Sequence, residues 1–258
     1  MIQFGPAGLG GIKEAEVNLE SYAKLGLKAC EISFTHGIYI YNKEDALRIG
    51  NKAKSLGIRL SIHAPYWINL NSAEKRKIEE SKTRILDCCK IGELLQAEYI
   101  VFHPGFYSKS SPGDTYNNIK NEILELQLEL KKQKWKIKLA PETTGKINVF
   151  GKEEEILALV KDTGCFFTID FSHLYARSQG KMTYKEMYEK VKSFPELHCH
   201  FSGIDFTSKG ERNHKLTPET EIKKLLEVLP KNKDIVIINE SPNPVEDARK
   251  MLDVYEKI

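Results

Sequence analysis

The chain alternates eight times between short apolar runs rich in β-branched residues and longer amphipathic runs. The strand candidates are Ile2–Phe4, Lys28–Ser33, Arg59–Ala64, Tyr99–Pro104, Lys136–Glu142, Cys165–Asp170, Leu197–Ser202 and Asp234–Glu240. Between them, apolar residues recur at three- and four-residue spacing. Ile119, Ile123, Leu126 and Leu130 mark one such stripe, and Ile222, Leu225, Leu226 and Leu229 another, as in helices packed on a core. Start signals such as Thr217-Pro218 and Asn243-Pro244 precede two of these segments. Strands that alternate with helices at this spacing imply parallel β-α-β units. Eight units with no linker between them predict a single (β/α)₈ TIM-barrel domain over residues 1–258, a fold that usually runs to about 250 residues. A doubly wound sheet would want a phosphate loop after the first strand. Gly5-Pro6-Ala7-Gly8-Leu9-Gly10 lacks the required glycine spacing, and Pro6 removes a backbone donor.

Composition narrows the setting. Apolar residues make up 41% of the chain, enough for a sizeable core, and the 29% of charged residues are dispersed rather than blocked into tails. No stretch approaches the apolar length of a membrane span, and the N-terminus lacks a basic, apolar leader. Cys30, Cys88, Cys89, Cys165 and Cys199 form no C-x-x-C pair, which predicts reduced, buried thiols. The expectation is a cytoplasmic monomer with no membrane partner.

Barrel enzymes carry their chemistry at the C-terminal ends of the strands. Here the third to eighth strand candidates end at or beside His63, His103, Glu142, Asp170, His200 and Glu240. His173 follows Asp170 by three residues, and His214 lies in the long loop after strand seven. Carboxylates gathered on one rim repel one another unless a cation sits between them. Imidazole mixed with carboxylate suits Zn²⁺, Mn²⁺ or Fe²⁺ better than Mg²⁺ or Ca²⁺. One catalytic zinc typically takes three protein ligands. The surplus here predicts two or three ions with Glu142 as a bridge, an arrangement suited to phosphodiester hydrolysis.

The ordered set of motifs resembles the endonuclease IV family of apurinic/apyrimidinic-site DNA repair enzymes. The residues that carry the likeness are His63-Ala64-Pro65-Tyr66-Trp67-Ile68-Asn69-Leu70, Phe102-His103-Pro104-Gly105, Glu142-Thr143-Thr144-Gly145, Ile169-Asp170-x-x-His173 and Glu240-Ser241-Pro242-Asn243. The resemblance implies three zinc ions. His63, His103 and Glu142 would hold the first; Glu142, Asp170, His200 and Glu240 the second; His173 and the His214 region the third. It also implies cleavage of duplex DNA on the 5′ side of an abasic site, with Glu142 and Glu240 catalytic and Tyr66 and Trp67 as the side chains that wedge into DNA.

After strand seven the family carries Asp-Arg-His, whereas this chain reads Glu211-Arg212-Asn213-His214. With one residue inserted, Glu211 and His214 form the pair; without it, Asn213 takes the histidine's place. The chain also has His200-Phe201-Ser202-Gly203 where the family has His-x-Asn-Asp, and Thr35-His36-Gly37 offers no counterpart to the family's inserted arginine. A net charge of only +3 leaves any DNA contact to a few cations, with Lys109, Lys146, Arg177 and Lys209 as candidates. Two further readings stand beside the nuclease. One is a single-metal sugar isomerase or epimerase using Glu142, Asp170, His200 and Glu240, with carboxylates that shuttle a proton. The other is a barrel that binds metal or nucleic acid without turnover.

Overall fold

A computed structural model describes residues 1–258. The elements run β1 (Ile2–Pro6), α1 (Ala15–Lys24), β2 (Ala29–Ser33), α2 (Lys43–Leu56), β3 (Arg59–His63), α3 (Lys75–Leu95), β4 (Tyr99–Phe102), α4 (Pro112–Gln133), β5 (Lys138–Pro141), α5 (Glu153–Thr163), β6 (Thr168–Asp170), α6 (Phe171–Arg177), α7 (Tyr184–Val191), β7 (Glu196–His200), β8 (Gly203–Thr207), β9 (Gly210–Lys215), α8 (Glu219–Leu226), β10 (Asp234–Asn239) and α9 (Pro244–Lys257). Eight strands pair in parallel as two four-stranded sheets, β1-β10-β7-β6 and β2-β3-β4-β5. Parallel bridges between Ala7 and Glu31 and between Glu142 and Thr168 join their edges into a TIM barrel.

Strand side chains alternate between two environments, as a period of two demands. Phe4, Cys30, Ile32, Leu60, Ile62, Ile100, Phe102, Leu139, Ile169, Leu197, Cys199, Ile235 and Ile237 point outward into the large core shared with the helices. Ala29, Val236 and Ile238 form one small inner cluster, and Tyr99, Val101 and Ala140 another. The predicted helix stripes face the same outer core. Ile119, Ile123, Leu126 and Leu130 are buried on α4, which starts with Pro112 after a Ser111 cap. All five cysteines are free and buried, and no helix is long and apolar enough to cross a membrane.

Several strands are shorter than their apolar runs. Strand seven ends at His200 rather than Ser202, because Ser202 N–H leaves the ladder and donates to Ser172 Oγ at 2.8 Å. The segment expected as a long loop after it is instead the antiparallel hairpin β8–β9. The Gly5-Pro6 segment closes the barrel and holds no phosphate loop. A Cβ on Gly5 would lie 2.0 Å from the Ala29 carbonyl oxygen of the neighbouring strand. Gly5→Ala is therefore expected to lower unfolding stability by about 1–3 kcal/mol through overpacking against backbone. Gly57→Ala, at a helix end with open space around it, should cost about 1–2 kcal/mol from its left-handed backbone alone. Urea denaturation in which Gly5→Ala costs nothing would contradict this account of the seam.

Candidate metal centre

Six of the expected ligands stand at or next to the C-terminal end of a barrel strand, and the period of two turns these six inward. His63, Asp170 and His200 end β3, β6 and β7; His103, Glu142 and Glu240 follow β4, β5 and β10 by one residue. Glu142 is wholly buried and is the hub. Its Oε2 lies 3.3 Å from His63 Nε2 and 3.0 Å from His103 Nε2. Its Oε1 lies 3.0 Å from His200 Nδ1 and 3.4 Å from His173 Nδ1. His200 Nδ1 is also 3.4 Å from Glu240 Oε2. Ligands held about 2.0–2.1 Å from a tetrahedral ion sit roughly 3.3 Å from one another, so the spacings among Glu142, His63, His103, His200 and Glu240 fit donors around shared cations.

Asp170 divides its two oxygens. Oδ1 caps α6, accepting from Ser172 N–H at 2.6 Å and His173 N–H at 2.8 Å. Oδ2 is buried without a hydrogen-bond partner and faces the cluster. A buried carboxylate oxygen left unpaired is costly, and a cation is the partner that would satisfy it.

Three donor groups meet here: His63, His103 and Glu142; Glu142, Asp170, His200 and Glu240; and His173, Glu211 and His214. The third depends on a bulge in the hairpin. Asn213 pairs with Asp205 and Glu211 with Phe206, so Arg212 is an extra residue without a partner. In a regular strand, residues three apart face opposite sides; the bulge returns Glu211 and His214 to one face. The hairpin is seated by glycine contacts. Glu211 N–H donates to the Gly145 carbonyl at 3.0 Å, and a Cβ on Gly145 would lie 2.6 Å from Glu211 Cβ. Of the two registers left open by the sequence, the structure adopts the one with the insertion, and Asn213 turns away to Asp205.

The rings are oriented from behind. His63 Nδ1–H donates to the Ala64 carbonyl at 2.8 Å and His173 Nδ1–H to the Thr143 carbonyl at 3.0 Å. Ser202 Oγ donates to the Gly203 carbonyl and accepts from His214 Nδ1–H at 2.6 Å. His200 is backed by a group the sequence reading missed. Glu31 of β2, fully buried, places Oε1 3.0 Å from His200 Nε2. Its Oε2 accepts from Ser61 Oγ at 2.7 Å and meets His198 Nε2 at 3.0 Å. The signal was a lone acid inside an apolar strand run, together with a histidine two residues before His200 and so on the same face.

These groups govern one another's charge. Burial disfavours the charged form of His200, but Glu240, Glu31 and Glu142 outweigh it and hold its pKa well above the usual histidine value. His173 is held well above by Asp170, Glu142 and Glu211, and His63 above by Glu142, each against burial. Burial raises Glu142, yet His200, His103 and His173 bring it well below the carboxylate range. Glu240, against burial, is lowered to about 2 by His200. Burial dominates at Asp170 and raises it.

The donors open into a cavity of about 350 Å³ lined in part by Tyr66, Phe106, Lys146, Glu211 and Glu240. Tyr66 and Trp67 are 49% and 51% exposed. Lys109 and Lys209 are exposed in neighbouring loops. Arg177 is not available as a surface cation. It ends α6, and its guanidinium donates to the carbonyls of Thr144, Lys146, Ile147 and Val149, bracing the loop beside Glu142.

The family described as xylose isomerase-like TIM barrel matches residues 19–258. The chain belongs to this family. An uncharacterized protein of Methanocaldococcus jannaschii is 36% identical over 275 residues, covering 100% of this chain and 98% of the relative. Among solved structures, SacUVDE superposes with a TM-score of 0.79 at 14% identity, covering 100% of this chain and 99% of the other. Endonuclease IV from Thermus thermophilus gives 0.72 at 21%, covering 99% and 97%. D-psicose 3-epimerase with D-fructose gives 0.67 at 18%, covering 98% and 96%. At these identities the structural likeness is one of fold, and the family's barrel serves more than one chemistry.

Two outcomes are expected. Raised histidine pKa values stabilise the metal-free fold below the ordinary value of about 6.5, and that contribution fades as pH climbs through the raised values. The depressed pKa values of Glu142 and Glu240 stabilise the fold at neutral pH and lose their effect only in strong acid. Ligation replaces the histidine protons, so the Tm increment from added Zn²⁺ should grow from about pH 6 to about pH 8. A constant or shrinking increment in thermal melts contradicts this charge balance. Elemental analysis tests the bulge: His214→Ala should lose one ion per chain, whereas deletion of Arg212, which leaves a regular two-residue spacing, should retain it.

Proposed function

We propose that this protein is a metal-dependent phosphodiester hydrolase that cuts duplex DNA on the 5′ side of abasic sites, in the manner of endonuclease IV. The observation that carries the reading is the third donor group, His173, Glu211 and His214, beside the two groups that share Glu142. An isomerase with one metal needs only Glu142, Asp170, His200 and Glu240. In this reading His63, His103 and Glu142 hold one ion, Glu142, Asp170, His200 and Glu240 a second, and His173, Glu211 and His214 a third. Zinc suits the mixed donors best, with Mn²⁺ or Fe²⁺ as substitutes. Bound ions supply positive charge at the phosphoryl oxygens and lower the pKa of water in the site.

The chain's own groups do the rest. Glu142 presents one oxygen to each side and so holds two donor groups in register. Glu240 lines the cavity as an ionised carboxylate and orients water there. Tyr66 and Trp67 offer half-exposed rings at the rim, suited to stacking against an unstacked base step. Lys146 at the cavity, with Lys109 and Lys209 nearby, supplies phosphate contacts. All three donor groups come from one chain.

The test uses a labelled duplex with one abasic analogue, Zn²⁺ or Mn²⁺, and a chelator control. A chelator-sensitive nick 5′ to the lesion is expected. Glu142→Gln and Glu240→Gln should each reduce it by at least about 100-fold while far-UV circular dichroism stays unchanged. Tyr66→Ala with Trp67→Ala should weaken lesion binding more than binding to intact duplex. The second reading, sugar epimerisation, is favoured by the self-sufficient Glu142, Asp170, His200 and Glu240 tetrad. Metal-dependent interconversion of ketoses without any nick would replace the nuclease with it.

A further inference from the structure

Beneath the donor groups lies a buried acid that holds no ion in the scheme above. Glu31 is 0% exposed, and its carboxylate lies between His198, Ser61 and the underside of His200. We propose that Glu31 is a positioning residue for the metal centre: its carboxylate accepts from the Nε2–H of His200 and so turns the Nδ1 lone pair of that ring toward the central ion. The proposal rests on reading the donor groups as a metal centre.

His200 Nδ1 faces Glu142 Oε1 at 3.0 Å and Glu240 Oε2 at 3.4 Å, so Nδ1 is the nitrogen that meets an ion in that group. A ligating nitrogen must be unprotonated, which puts the ring proton on Nε2. Nε2 and Glu31 Oε1 are both buried with no other hydrogen-bond partner, and they face each other at 3.0 Å. The other oriented rings rest on neutral oxygens: the Ala64 and Thr143 carbonyls and Ser202 Oγ. His200 has a full negative charge behind it, which makes the imidazole the stronger electron donor.

Glu31 is itself held in place. Ser61, its register partner across β2 and β3, donates to Oε2, and His198 meets the same oxygen from β7. His198 is two residues before His200, so both rings project into the barrel one layer apart. Glu31, His198 and His200 also have the spacing of a metal group. An ion there would require His200 to give up both ring protons to serve two ions, and Ser61 already occupies Glu31 Oε2. The second-layer role needs neither concession.

The experiment loads metal-free wild type, Glu31→Gln and Ser61→Ala with Co²⁺. It measures ions per chain, affinity against a competing chelator, and the visible Co²⁺ spectrum. Glu31→Gln keeps the shape and removes the charge. The expected result is an unchanged far-UV spectrum, a loss of about 10- to 100-fold in the affinity of one ion and a shifted Co²⁺ band. Ser61→Ala should move both readouts in the same direction by less. Unchanged affinity and an unchanged band in Glu31→Gln overturn the proposal while leaving the metal centre standing. Wild type that takes up no Co²⁺ overturns the metal reading and this inference together. A fourth ion in wild type that Glu31→Gln loses makes Glu31 a ligand and also overturns it. If Glu31→Gln does not fold, Ser61→Ala decides: weaker Co²⁺ binding at an unchanged metal-free Tm supports the proposal, and unchanged binding overturns it.

Discussion

A buried carboxylate at the barrel mouth is the constraint around which the molecule is built. Glu142 cannot stay charged in the interior unless other groups meet it, and His63, His103, His173 and His200 all do. The same residue is structural: its backbone bridge to Thr168 joins one pair of sheet edges. The opposite seam closes at the bridge between Ala7 and Glu31, the other wholly buried glutamate. Closure of the barrel and convergence of the charged groups are thus one event. Both acids belong to the β2-β3-β4-β5 half, and His198 and His200 of the other half reach them across the closed barrel.

The interior is stratified along that axis. At the N-terminal end Arg59 pairs with Asp234 and Gln3, and Lys138 pairs with Glu196. Two small apolar clusters line the interior, Ala29 with Val236 and Ile238, and Tyr99 with Val101 and Ala140. Glu31, Ser61 and His198 lie one inward-facing position before their strand ends, with the ligand candidates His63 and His200 two residues beyond Ser61 and His198. Each strand contributes alternate residues to this column and the intervening ones to the outer core. Stability and site chemistry therefore occupy opposite faces of the same strands, which lets the mouth carry many polar groups without opening the hydrophobic layer.

The outer elements of the mouth are tied to one another by backbone. Arg177 gathers the carbonyls of the loop that follows Glu142, and the β8–β9 hairpin docks on that loop through Gly145 and Gly210. This seating brings Glu211 to 3.5 Å from His173. The third donor group is assembled from an α-helix and a bulged strand, whereas the other two come from the barrel strands themselves.

The eight-fold alternation and the strand-end ligands could be read from the sequence, because both follow from local period and from the rule that parallel strands present their C-terminal ends together. His63, His103, Glu142, Asp170, His200 and Glu240 needed no more than that. Glu31 escaped because one acid in an apolar run is ambiguous until its neighbours across the barrel are known; His198 is 167 residues away. Glu211 and His214 could be named but not aligned, since a bulge is set by the partner strand and not by the strand that carries it. Arg177 reads as a surface charge until the loop it braces is folded over it. The sequence by itself determined which strands end in ligands, because that depends on order along the chain. Tertiary structure alone decided how those ligands are backed, aligned and shared, because hydrogen bonds and charge balance depend on distances that only barrel closure creates.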